Sequence, residues 1–335
     1  MLQTTRTLLE GIVDYAGLFP PAKLAMDRAV ENYAEYLASP HAWMLGRFVV
    51  PVARLAEFEA CAAPLFPAEP QNPTDEPAPP WRISALIGED ADADIDAVFA
   101  FNQRHAPDNT DAGGDDEDGQ PDDHPADSAL APAPAKLTGA VIDTIEIKAA
   151  NGREIDRLMG IVPEQLEPYF EIPIAEDPRG MLAAMAGTGA RAKIRTGGIT
   201  LDAFPPAEHV ARFLVACASA DVPFKATAGL HHPVRAEQNL TYEPGCPRAV
   251  MYGFLNVFLA AAMVRIGEGR EKDAVELLSE TDPSAFRFVE QGVAWRDKRL
   301  PSPRLAMVRE SFATSFGSCS FEEPVNDLKA LSLVD

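Results

Sequence analysis

The sequence predicts one α/β domain of the TIM type, a (β/α) barrel, closed or incomplete, with helical additions towards the C-terminus. Three observations carry this expectation. Short β-like runs alternate with helix-length segments, the pattern of βαβ units in a parallel sheet. Four successive runs place charged residues on one parity and apolar residues on the other. The 335 residues, 47% of them hydrophobic, suit two domains or one domain of the barrel class, and the strand–helix rhythm selects the barrel.

The β-like runs are 47–52 (RFVVPV), 82–88 (RISALIG), 144–149 (TIEIKA), 169–174 (YFEIPI), 192–198 (AKIRTGG) and 223–230 (PFKATAGL). Helix-length segments at 27–38, 53–63, 91–104, 153–161, 179–187 and 207–220 separate and flank them. Right-handed crossovers put such helices on the outer face. After Leu230 the rhythm changes to a loop, a long helix over 249–266, a second over 271–279 and a less regular segment. Residues 231–335 are therefore expected as a helical extension of the barrel. Six strands are clear and one or two more are ambiguous. No GxGxxG or GxxxxGK[ST] loop occurs.

Two segments stand outside this rhythm. Residues 64–80 are proline-rich and predict an irregular loop. Residues 107–135 are rich in Asp, Pro, Gly and Ala, hold no Lys or Arg, and predict a disordered acidic insertion. The formal net charge of −22 repels nucleic acid and anionic lipid, so neither is an expected partner. Four scattered cysteines without a CxxC pair fit a reducing compartment. The N-terminal residues lack the features of a signal peptide, and the longest apolar run, 254–264, is far short of a membrane span. A cytoplasmic protein is expected, and a homo-oligomer is compatible with it.

The charged parity carries the chemistry. Glu146 and Lys148 share one face of their strand, Glu171 stands opposite Phe170 and Ile172, Lys193 and Arg195 flank Ile194, and Lys225 and Thr227 flank Ala226. Both faces of a parallel sheet are normally covered, so the apolar parity packs on helices and the charged parity points into the barrel. Buried charges are costly unless paired, which makes their convergence the mark of a site. Two carboxylates (Glu146, Glu171) against four cations (Lys148, Lys193, Arg195, Lys225) predict a net positive pocket for a small anionic metabolite. A neighbouring ammonium and partial burial favour a neutral lysine amine, the form that attacks a carbonyl and makes a Schiff base.

The run Lys193-Ile194-Arg195-Thr196-Gly197-Gly198, followed on the next strand by Lys225-Ala226-Thr227-Ala228-Gly229, resembles the paired lysine strands of class I aldolase barrels of the deoxyribose-phosphate aldolase type. The resemblance spans roughly 40 residues. It implies Lys193 as the Schiff-base nucleophile, Lys225 as the lysine that tunes it, and Gly197, Gly198 and Gly229 as backbone donors to phosphate. Glu146 stands where that family places an aspartate proton shuttle, while Arg195 has no counterpart in the pattern. The implied activity is carbon–carbon lyase chemistry on an anionic carbonyl compound without a cofactor; independently of the resemblance, Arg195 and His231 are expected to clamp the anion.

Other residues support different chemistry. His231 and His232 follow the sixth strand and, with Glu146 and Glu171, would make a divalent-metal centre for a hydrolase or isomerase. A barrel binding a sugar phosphate or organic acid without turnover is a third expectation. The segment 14–22 (DYAGLFPPA) is apolar and turn-rich, and is expected either to plug one barrel end or to reach the site. Residues 315–320 (SFGSCS) could form an anion nest. Cys319 has no assignable histidine and is expected to be structural, and Tyr252 and Asn256 fit packing equally well.

Overall fold

In a computed structural model that describes residues 1–67, 78–106 and 139–335, eight parallel strands close into a barrel. Seven are β1 (Val13–Tyr15), β2 (Leu45–Pro51), β3 (Trp81–Leu86), β4 (Ala140–Lys148), β5 (Glu167–Glu171), β6 (Arg191–Arg195) and β7 (Phe224–Thr227). An antiparallel hairpin of β8 (Ala236–Asn239) and β9 (Arg248–Met251) follows, then an antiparallel sheet of β10 (Phe286–Val289), β11 (Gly292–Trp295) and β12 (Lys298–Pro301). The eighth barrel strand, β13 (Ala313–Ser318), lies between β7 and β1 and closes the ring. The acidic stretch 107–135, and the proline-rich loop in part, fall outside the described residues.

The helices are α1 (Gln3–Leu9), α2 (Met26–Leu37), α3 (Leu55–Ala62), α4 (Ala91–His105), α5 (Gly152–Met159), α6 (Arg179–Met185), α7 (Ala207–Ala220), α8 (Phe254–Arg265), α9 (Glu271–Leu278), α10 (Ser302–Ser311) and α11 (Glu322–Ala330). Local chemistry fixes several ends. Asp90 and Asn151 cap α4 and α5 by accepting from Ala93 N and Glu154 N. Asp221, left-handed at φ 54°, stops α7. Helix α8 is apolar nearly all round and buried, against α7, α9 and β13 among others. None of the described helices is long and apolar enough to cross a membrane.

The apolar parity packs outward as the alternation implies: Ile145, Ile147, Phe170, Ile172, Ile194, Phe224 and Ala226 all belong to the buried core. Two boundaries differ from expectation. Residues 231–335 are not simply a helical extension, because they hold the hairpin, the three-stranded sheet and β13. The long helix starts at Phe254, since residues 248–251 pair as β9.

The N-terminal end of the barrel is sealed by a polar floor. Arg47 chelates Asp143 (Nε–Oδ1 2.5 Å, Nη2–Oδ2 3.0 Å), and Arg191 bonds Glu167 at 2.7 Å. Arg309 is half-buried and donates to the carbonyls of Leu8, Glu10, Ala313 and Thr314. Burial lowers its pKa to about 10. The opposite end is open.

Candidate active site

The charged parity meets inside the barrel as one chain of ion pairs. Lys193 and Lys225 are register partners across β6 and β7, and Glu171 pairs in register with Lys193 from β5. Lys225 Nζ lies 2.7 Å from both Asp14 Oδ2 and Glu146 Oε1. Lys193 Nζ lies 2.7 Å from Glu146 Oε2 and 2.9 Å from Glu171 Oε2. Glu146 thus spans the two lysines, and Ser84 Oγ donates to its Oε1 at 3.0 Å. Ser315 Oγ donates to Asp14 Oδ2 at 2.7 Å, and Arg47 N donates to Asp14 Oδ1.

This arrangement reverses two expectations. Three carboxylates (Asp14, Glu146, Glu171) face two lysines, so the inner network is not net positive. The lysine pKa values move up rather than down. Burial alone would favour neutral Lys225, but Asp14 and Glu146 outweigh it, and Glu146 with Glu171 do the same for Lys193. Burial would likewise raise the Glu146 carboxyl, yet the two ammonium groups hold it far below the usual carboxylate range. Carboxylates in contact with both lysines decide the sign.

A cavity of about 600 Å³ opens above this network at the C-terminal strand ends. Glu146 and Lys193 form its floor; Lys225 lies beneath them, 1% exposed. Arg195, Gly198, Thr227, Gly229, His231 and His232 line its wall. Thr196 and Gly197 instead build the turn below. Thr196 Oγ1 donates to Ala228 O at 2.8 Å, and a Cβ at Gly197 would meet Phe204 at 2.5 Å and Gly229 Cα at 3.0 Å. Lys148, at the strand end, is exposed and does not line the cavity. Two exposed cations, Arg195 and Arg248, line the cavity, whereas the lysine charges in its depth are matched by carboxylates. Gln238 to Tyr242, from the β8–β9 hairpin and its loop, form the outer wall together with Phe19, Pro20 and Pro21. The segment 14–22 therefore supplies both a barrel strand and part of the cavity wall.

Asp14 and Ser315 were not singled out from sequence as site residues. Asp14 is fully buried, on a three-residue strand with no alternation to reveal it. Its position depends on a glycine. A Cβ on Gly46 of β2 would stand 2.4 Å from Asp14 Oδ1 and 3.2 Å from Val13 O. Gly46→Ala is expected to displace the Asp14 carboxylate and cost about 1–3 kcal/mol, the usual range for overpacking. Urea denaturation of the variant checks this, and an unchanged midpoint would show that Asp14 has room to move.

The histidines do not join Glu146 and Glu171. His231 Nδ1 lies 3.2 Å from Glu323 Oε2 and 3.3 Å from Ser318 Oγ, and His232 Nδ1 lies 2.6 Å from Asp327 Oδ2. Glu146 and Glu171 are both engaged by Lys193. Among the described residues, no group of three or more His, Cys, Asp and Glu side chains is placed to hold a metal ion. Burial would lower the His231 pKa, but its bonds to Cys319 and Glu323 raise it to about 9. Tyr252 and Asn256 are structural. Tyr252 donates to Pro205 O, and Asn256 satisfies Arg235 N and the carbonyls of Leu277 and Glu280.

No family model matches the chain, and no curated protein matches it. Among solved structures, it is similar to the crystal structure of the Bacillus cereus spore cortex-lytic enzyme SleL, at 10% identity. That match covers 97% of this chain and 74% of the other, with a TM-score of 0.38, too low to carry any argument.

Proposed function

We propose that the barrel performs lysine-dependent carbon–carbon bond cleavage or condensation on a small anionic carbonyl compound, with Lys193 as the nucleophile. The observation that carries this reading is the position of Lys193. Its Nζ faces the cavity floor while two carboxylate oxygens stand within 2.9 Å of it. The resting amine is an ammonium, so chemistry begins with transfer of its proton to Glu171 or Glu146. The neutral amine then adds to the carbonyl carbon, the adduct nitrogen gives one proton to the former carbonyl oxygen, and the proton returned by the carboxylate completes the water that leaves. The protonated imine that results withdraws electrons from the neighbouring carbon–carbon bond. Glu146 is the proton shuttle. Lys225, held by Asp14, keeps Glu146 ionised and fixes its orientation. Arg195 and His231 hold the substrate's carboxylate or phosphate, with backbone N–H groups at Gly198 and Gly229 beside them.

Borohydride trapping with a panel of small aldehydes and keto acids tests this. A reduced adduct is expected on Lys193 and is expected to vanish in Lys193→Met. Adducts confined to surface lysines such as Lys272 would sink the proposal. A second reading is favoured by the raised lysine pKa: the same ammonium could bind an anion without covalent chemistry. It predicts thermal stabilisation by carboxylates or phosphate esters with no product.

A further inference from the structure

We propose that Cys319 is a second nucleophile of the cavity, activated by His231 and Glu323, which adds reversibly to small anionic aldehydes. This does not depend on imine chemistry at Lys193. Four titratable groups from four elements and loops of the chain meet on the cavity wall. Cys319 directly follows β13, His231 follows β7, Tyr242 lies in the β8–β9 loop and Glu323 lies in α11. All four line the cavity.

The geometry is that of an activated thiol. Cys319 Sγ lies 3.9 Å from His231 Nδ1 and 3.5 Å from Tyr242 OH. Glu323 Oε2 stands 3.2 Å from His231 Nδ1 and accepts from Tyr242 OH at 3.1 Å. One carboxylate therefore anchors both groups that flank the sulfur. Glu323 is held below the usual carboxylate range: burial opposes this, but the His231 and Tyr242 bonds prevail. His231, held as the imidazolium by Glu323, stabilises the thiolate across the 3.9 Å contact as the thiol proton leaves to solvent, and Tyr242 holds Glu323 in place. Tyr15 is the further titratable group that senses the sulfur. Cys319 and Cys217 are both buried, but Cys217 does not line this cavity, and its thiol is pushed well up by burial alone.

The step balances without a co-reactant. The thiolate sulfur bonds to the aldehyde carbon, the C=O π pair moves to oxygen, and His231 gives its proton to that oxygen and regains one from solvent, leaving a hemithioacetal. Arg195 and Arg248 at the same cavity supply the attraction for the aldehyde's anionic group.

Alkylation of the full chain with iodoacetate and iodoacetamide at pH 6.5, read by peptide mass, tests the assignment. In that probe the sulfur–carbon bond forms and iodide leaves. Cys319 is expected to be labelled at least tenfold faster than the partly exposed Cys61 and Cys246. Iodoacetate is expected to outpace iodoacetamide at Cys319 but not at the other two. Glyoxylate should slow labelling of Cys319 alone. His231→Gln should reduce the Cys319 rate about tenfold, and the wild-type comparison decides the matter even if that variant folds poorly. Labelling of Cys319 no faster than of Cys61 and Cys246, or no protection by glyoxylate, overturns the proposal. The two readings fail separately. A borohydride adduct at Lys193 with an inert Cys319 keeps the lysine chemistry alone, and the reverse pattern keeps the thiol alone.

Discussion

Lys225→Met is expected to destabilise the protein by about 3–5 kcal/mol, measured by urea denaturation near neutral pH, because breaking a buried ion pair strands its partners. Lys225 is 1% exposed, and it is the ammonium that both Asp14 and Glu146 contact at 2.7 Å. Removing it leaves Asp14 with a hydroxyl and a backbone N–H, and Glu146 with Lys193 and Ser84. Lys193→Met is expected to cost less. The cavity brings water to that position, and Glu146 keeps Lys225. Adding Asp14→Asn to Lys225→Met should recover part of the loss, since the penalty comes from uncompensated charge rather than from lost packing. A loss below about 1 kcal/mol for Lys225→Met would mean that solvent or rearrangement reaches the buried carboxylates.

The same network sets a window in pH. Glu146 has a depressed pKa in the folded protein, so its contribution is present above the unfolded carboxyl value and is lost as acid protonates the folded form. Lys193 and Lys225 have raised values, so theirs is present below the ordinary lysine value and is lost only in stronger alkali. Across the neutral range the ion network contributes a constant amount. A slope measured there must come from another group.

His231 supplies such a slope, the second large effect. Its pKa rises from 6.5 to about 9 on folding. A raised value means stability that is complete below pH 6.5 and declines as pH rises towards 9. At about 1.4 kcal/mol per pH unit, the full effect is on the order of 3 kcal/mol. Urea midpoints at pH 6, 7.5 and 9 should fall in that order, and His231→Gln should flatten the trend. A wild-type profile already flat over this interval would show that His231 is neutral in the folded state.

Much of this architecture could be seen in the chain itself. The strands at 45–51, 81–86, 140–148, 167–171, 191–195 and 224–227 announce themselves by alternation and by the helices between them. Lys193, Lys225, Glu146 and Glu171 fall on the predicted parity and do meet. The two strands that close the ring stayed hidden for physical reasons. Val13–Tyr15 is buried at every position, and Ala313–Ser318 is made mainly of small and polar residues packed where a branched apolar run would ordinarily signal a strand. With them went Asp14, the counter-charge of Lys225, and hence the sign of the lysine shifts. Pairwise proximity across 211 residues, as between Asp14 and Lys225, leaves no periodic trace in a single sequence. The partner of Cys319 was hidden in the same way, since His231 lies 88 residues earlier.

The closure of β1 against β13 also bears on how the barrel comes to exist. Asp14 and Ser315, which bond across that seam, are 301 residues apart in the chain. During synthesis β1 leaves the ribosome long before the strand that pairs with it on its other side. Loop closure over such a span carries its entropic cost up front, and contacts this distant in sequence characterise slow folding. Ring closure is thus a late event, and it brings Ser315 to Asp14. A nascent chain arrested before β13 should lack the Ser315 hydroxyl beside Asp14 and the cavity wall that Gly317 and Cys319 supply.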